Sequence, residues 1–187
     1  MRIACLAWGS LVWDPRTLPH SRPFLNDGPE LPIEFSRVSL DGRVTLVIDP
    51  SAPRLRTFWA PLDVGRLEDA VDALGRREKI HPSRWMDWVG RHSFGDAEPS
   101  NGQFSGIDEW LGARTLDAIV WTALPSRTPE GALAVPSFET LLAHLESLSG
   151  EARVRAEQYV RRTPSSVRTP HRSRFESQLG WHPSANG

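Results

Sequence analysis

"LPIEFSRVSLDGRVTLVIDP" occupies residues 31–50. In an extended chain Ile33, Phe35 and Arg37 fall on one side and Glu34, Ser36 and Val38 on the other. Val44, Leu46 and Ile48 repeat the alternation. Between the two runs stands Asp41-Gly42, a dipeptide suited to a type I′ turn, where both central residues need a positive φ. The stretch therefore predicts an antiparallel hairpin with Asp41-Gly42 at its tip. A further strand is expected over Leu55–Ala60, which makes three consecutive antiparallel neighbours.

The rest of the chain builds outward from this hairpin. Upstream, Ile3–Trp8 reads as a buried strand. Downstream, Asp63 is placed to cap a helix from about Val64 to Arg77, with Leu67, Val71 and Leu74 on one stripe. Residues 79–104 read as irregular and polar, with Trp85 and Trp88 embedded, and a loop that long is usually functional. A short helix is expected over Ile107–Arg114 and a buried strand over Leu116–Ala123. Helices follow over Ser137–Ser149, Glu151–Arg162 and about Ser166–Leu179, divided by Gly150 and Pro164. Strands first and helices last predict an α+β fold in a single domain, residues 1–187. Its strand-rich core covers about residues 1–123 and its C-terminal helices about 137–180.

The totals narrow the function classes. The 187 residues are 39% hydrophobic and 24% charged with net charge -1, so no overall field favours nucleic acid or a membrane surface. No apolar run approaches the roughly 20 residues of a membrane span. Met1-Arg2 runs straight into a strand-like segment, which reads as a chain without a secretory leader. The one cysteine, Cys5, rules out an internal disulfide and fits a reducing cytoplasm. The six histidines include no pair at a metal-binding helix spacing and Cys5 has no partner, so a structural or catalytic zinc is not expected.

Two local features stand out. In "IACLAWGSLVWDPR", residues 3–16, a Gly-Ser pair breaks the most apolar opening segment between Trp8 and Trp13. It reads either as a bulge in a core strand or as a nest of backbone N–H groups that holds a carboxylate or phosphate. The second feature is Glu78, the next member of the stripe begun by Leu67, Val71 and Leu74. It reads either as a surface acid paired with Arg76 or Arg77, or as a carboxylate facing apolar surroundings and tuned for proton transfer.

Trp8-Gly9-Ser10-Leu11 followed downstream by Arg76-Arg77-Glu78 resembles the gamma-glutamylcyclotransferase-like superfamily, which carries a YGSL or YGSN turn after its first strand and a later catalytic glutamate. The branch that degrades glutathione shows YGSLIW and an RRE triplet. Trp8 replaces the tyrosine of that turn, and the C-terminal segment with "AEQYVRRTP" departs from the pattern. The resemblance implies a small mixed β-barrel with flanking helices and a cavity beside the turn. It implies cyclisation of a γ-glutamyl amide to 5-oxoproline with release of an amine. Glu78 would be the catalytic acid and base, and Trp8, Gly9, Ser10 and Leu11 would bind the small-molecule γ-glutamyl substrate, with no cofactor. On this reading Glu78 and the turn face one cavity, residues 81–104 cover it with Trp85, Trp88 or Phe104, and Glu34 is the next acid in line.

Three rivals remain. The fold could host another amide-cleaving or group-transfer reaction, or a non-catalytic binding module. Seven arginines against three glutamates over residues 151–176 could serve nucleic acid, but aromatic interleaving there is weak and solvated helix faces account for them more simply. Cys5, inside the first strand, is expected to be inert.

Overall fold

The computed structural model describes residues 1–97, 102 and 104–184. The class is α+β, with no closed barrel among the described residues: seven strands lie in two open sheets, accompanied by six α-helices. The chain divides into two compact units. One comprises residues 1–7, 14–31 and 56–124, the other residues 8–13, 32–55 and 125–187.

The first unit holds β1 (Ile3–Ala7), β5 (Phe58–Leu62), β6 (Val89–Ser93) and β7 (Ala118–Thr122), in the order β5-β1-β7-β6. β1 runs antiparallel to β5 and parallel to β7, and β6 closes the row antiparallel to β7. β1 is buried along its whole length, as a strand flanked on both sides must be. Helix α1 (Leu67–Arg77) packs on β6 and β7 through Val71 and Leu74, so the stripe read from the sequence is the inward one. The helix starts at Arg66 rather than Asp63, without a side-chain cap; the Asp63 N–H instead donates to the Pro19 carbonyl.

Within the stretch 79–104 that the sequence reads as irregular, residues 82–93 are regular. A 3-10 turn (Pro82–Arg84), the short α2 (Trp85–Trp88) and β6 follow one another. β6 was hidden because Gly90 and Arg91 break any apolar alternation. Gly90 is required there, since the Trp121 indole fills the space a Cβ would take. Phe104 stacks on the same indole at 4.2 Å, and Trp85 lies against Gly75 of α1 with its Nε1–H on the Ile80 carbonyl at 2.9 Å. Phe104 and Trp121 are core of this unit, and Trp85 is half-buried. The part of the expected lid on residues 98–101 and 103 lies outside the described residues. Helix α3 (Ile107–Ala113) precedes β7.

The second sheet has the order β3-β2-β4, from β2 (Glu30–Val38), β3 (Val44–Ile48) and β4 (Arg54–Arg56). The chain passes from one unit to the other inside β2, after Leu31, and inside β4, after Leu55. The hairpin exists, but its turn is not type I′: only Gly42 has positive φ, at 84°. The Gly42 N–H reaches the Ser39 carbonyl at 3.0 Å, and Ser39 and Arg43 close the strands, which is the longer loop with a left-handed glycine. β2 is buried on both faces, including Glu34 and Ser36, and carries an irregularity between Phe35 and Arg37. The strand expected over 55–60 splits at Thr57, whose N–H and hydroxyl both donate to Pro29 and whose carbonyl accepts the Gly28 N–H. The expected third strand is therefore divided: its start, in β4, stays beside β2, and β5 joins the other sheet.

Helices α4 (Phe138–Ser147), α5 (Gly150–Arg162) and α6 (Pro170–Leu179) complete the second unit. Ser137 and Thr169 cap α4 and α6 through their side chains, and Pro170 fixes the first turn of α6, four residues later than expected. Phe35, Phe138 and Phe175 form its aromatic centre. The C-terminal arginines are largely engaged within this unit. Arg172 is buried and donates to the carbonyls of Thr163, Pro164 and Val167, while Arg155 and Arg161 pair with acids one turn away. No described helix is long and apolar enough to cross a membrane.

Gly90→Ala should cost roughly 1–3 kcal/mol of stability, the usual cost of overpacking, because the Trp121 ring must move. Denaturant unfolding measures it; an unchanged midpoint would contradict this packing.

Candidate active site

Glu78 belongs to the first unit, and Trp8, Gly9, Ser10 and Leu11 to the second.

α1 ends in a motif that places Glu78. The Ile80 N–H donates to the Gly75 carbonyl and the Lys79 N–H to that of Arg76, with Lys79 left-handed at φ 56°. Glu78 is the residue just before this reversal. Its side chain is 17% exposed, and Arg77 Nη1 donates to its Oε1 at 2.6 Å. The Thr122 hydroxyl on β7 stands 3.5 Å from the same oxygen. Arg77 is itself buried, at 3% exposed, and a second nitrogen donates to the Asp14 carbonyl. A carboxylate at a helix C-terminus meets an unfavourable dipole. The Arg77 guanidinium offsets that field and satisfies one of the two oxygens.

The arrangement falls between the two readings made from sequence. Glu78 pairs with Arg77, as the surface reading has it, yet the partner is an interior guanidinium and the carboxylate is mostly covered. Cys5, on the adjoining strand β1, is fully buried; burial and then the Glu78 charge push its thiol far above the ordinary range. It is no nucleophile at any working pH.

β1 stops at Ala7 in the first unit, and residues 8–13, in the second, form turns, so the segment after Ser10 does not resume the strand. The Val12 N–H closes on the Gly9 carbonyl at 3.0 Å. Trp8 and Leu11 are buried, and the Trp8 Nε1–H donates to the Leu46 carbonyl at 3.3 Å. A Cβ on Gly9 would collide with the Tyr159 hydroxyl. That hydroxyl also accepts the Leu46 N–H at 3.3 Å, and the Tyr159 ring meets Trp13 edge to face. The close approach that glycine allows is thus made by Tyr159, on α5, rather than reserved for a ligand. Sequence reading passed over Tyr159 because 150 residues separate it from Gly9; that it is the only tyrosine was the one available signal.

Glu34, the next acid in line, is buried in the second unit. It accepts the His171 N–H at 3.1 Å and its neighbour Phe35's N–H at 2.7 Å, so its carboxylate caps the start of α6. Among the described residues no group of three or more His, Cys, Asp or Glu side chains is placed to hold a metal ion. Comparison with protein-family models, curated proteins and solved structures gives no match.

Native protein should leave Cys5 unmodified by a thiol reagent through mildly alkaline pH, and react only as it unfolds; labelling at native rates comparable to free cysteine would refute this burial. Gly9→Ala should destabilise by roughly 1–3 kcal/mol, and by clearly less in a Tyr159→Phe background. A double-mutant cycle of unfolding free energies reads the coupling; equal costs in both backgrounds would remove Tyr159 as the reason for the glycine.

Proposed function

We propose that the chain is a gamma-glutamylcyclotransferase-like enzyme that closes a γ-glutamyl amide to 5-oxoproline and releases an amine. The observation that supports it is the covered carboxylate of Glu78, gripped by an interior guanidinium at the end of α1 with the Thr122 hydroxyl close by. The small mixed barrel of the resembling family is the finer fold this reading expects.

The chemistry is economical. The substrate's own α-amine attacks its γ-carbonyl carbon, a C–N bond forms, the original amide C–N bond breaks, and no water is consumed. Because the nucleophile is tethered, fixing one conformer removes much of the entropic barrier. The attacking amine must lose a proton and the leaving nitrogen must gain one. A single carboxylate does both in turn. Arg77 holds Glu78 in one orientation, which suits its first task as base.

A second reading has its own support. The occupation of the space over Gly9 by Tyr159 makes the turn self-sufficient as a packing element. That favours a non-catalytic small-ligand or protein-binding module that does not use the turn.

Glu78→Gln separates the two. The amide still accepts from Arg77 but cannot relay a proton, so turnover on a panel of γ-glutamyl amines and dipeptides should fall roughly 10²–10⁴-fold in a variant that remains folded, with a melting temperature lowered by the loss of the Arg77 counter-charge. Wild-type turnover with no loss in the variant would take Glu78 out of the mechanism; ligand binding without turnover in either protein would establish the module.

A further inference from the structure

In the second unit Arg37, on β2, and Arg127 face each other across an isolated parallel bridge. The Arg127 N–H donates to the Ser36 carbonyl at 3.1 Å, and the Val38 N–H to the Arg127 carbonyl at 2.9 Å. Bridged backbones lie about 5 Å apart, so two guanidinium-bearing side chains stand side by side on one face. Like charges in that relation are destabilising. Both side chains are half-buried, and burial, then the Arg127 charge, holds Arg37 below the ordinary guanidinium range. Among the described residues neither guanidinium has an acid as partner. The acids nearest along the chain are engaged elsewhere: Glu34 at the start of α6, Asp41 on Arg43, and Glu130 on its own backbone N–H and the Thr128 hydroxyl. Each guanidinium is instead held by a carbonyl: Arg37 Nη1 donates to Pro125 at 2.6 Å, and Arg127 Nη1 to Val38 at 3.4 Å. The turn after Arg127 folds back on it. Gly131, left-handed at φ 95°, comes so near that a Cβ there would stand 3.0 Å from Arg127 Nη2. A guanidinium carries five N–H donors, so both retain donors for a ligand.

We propose that Arg37 and Arg127 together bind a phosphate group, carried by a small ester or free as inorganic phosphate. The class of ligand follows from the charge. Two adjacent positive charges without an acid are matched by one phosphate group, which carries about −1.5 to −2 at neutral pH and three strong acceptor oxygens. It can accept a forked pair of N–H groups from each side. A carboxylate offers one charge and two oxygens, enough for a single fork. Bound phosphate would also relieve the repulsion that the bridge imposes. Neither arginine belongs to the Trp8–Leu11 turn or touches Glu78, so the site stands whether or not the cyclisation reading does.

The test is an NMR titration of ¹⁵N-labelled protein at constant ionic strength, read on the arginine Nε–H resonances. Sodium phosphate and sn-glycerol 3-phosphate are the probes and sodium acetate the control. Phosphate should shift the Arg37 and Arg127 signals saturably, with a Kd of roughly 0.1–1 mM, and acetate should bind about tenfold more weakly or worse. Arg127→Gln, read on Arg37, should weaken phosphate roughly tenfold. Arg127→Lys keeps the charge without the fork and should weaken it about three- to fivefold, which covers the case of a glutamine variant that does not fold. Glycerol 3-phosphate binding at least as tightly as phosphate assigns the site to an ester; saturation by inorganic phosphate alone assigns it to the free anion. Absence of a saturable shift with either probe at roughly tenfold above that range, acetate binding as tightly as phosphate, or phosphate affinity unchanged in both Arg127 variants would each overturn the proposal.

Discussion

A guanidinium turned inward at the end of α1 sets the terms for the first unit. An unpaired buried charge is among the costliest things a fold can carry, so Arg77 must be surrounded by acceptors. The Asp14 carbonyl is one and the Glu78 carboxylate another. Meeting that demand stops the helix at Glu78, forces Lys79 into the left-handed region, and sends the chain back so that Trp85 lies over Gly75. The same pair gives the unit a covered carboxylate beside β7. Structural need and chemical opportunity therefore coincide in one ion pair.

The second unit meets its interior polar groups in the same way. Glu34 is satisfied by the N–H groups of Phe35 and His171, and Arg172 by three carbonyls ahead of α6. Asp49, also buried, accepts from the Ser36 and Ser51 hydroxyls. Polar side chains inside β2 thus tie the last helix to the sheet, which is why a strand that alternates polar and apolar residues is nevertheless buried on both faces.

Elements with local causes were legible in the sequence. The hairpin of β2 and β3, the stripe of α1, the strand β7 and the three C-terminal helices follow from alternation, 3.6-residue spacing, and cap and breaker residues. What escaped depends on partners distant along the chain. β6 owes its place to Trp121 lying over Gly90, and no local pattern marks that. The split at Thr57 is decided by its bonds to Gly28 and Pro29. At the candidate site, Glu78 was visible because it interrupts an apolar stripe. The inward turn of Arg77 was not, because neighbouring arginines look alike until the fold buries one. Gly9 was visible as an oddity, but the Tyr159 hydroxyl over it was 150 residues away.

The claim that Glu78 serves an intramolecular ring closure is tested most directly by the product made in ¹⁸O-enriched water. Incubation with a panel of γ-glutamyl amines and dipeptides, followed by mass spectrometry, distinguishes cyclisation from hydrolysis. Cyclisation yields 5-oxoproline without label in equal amount to the released amine, because no water enters the products. Glutamate carrying ¹⁸O in its γ-carboxylate would contradict the account, as would failure to convert any member of the panel.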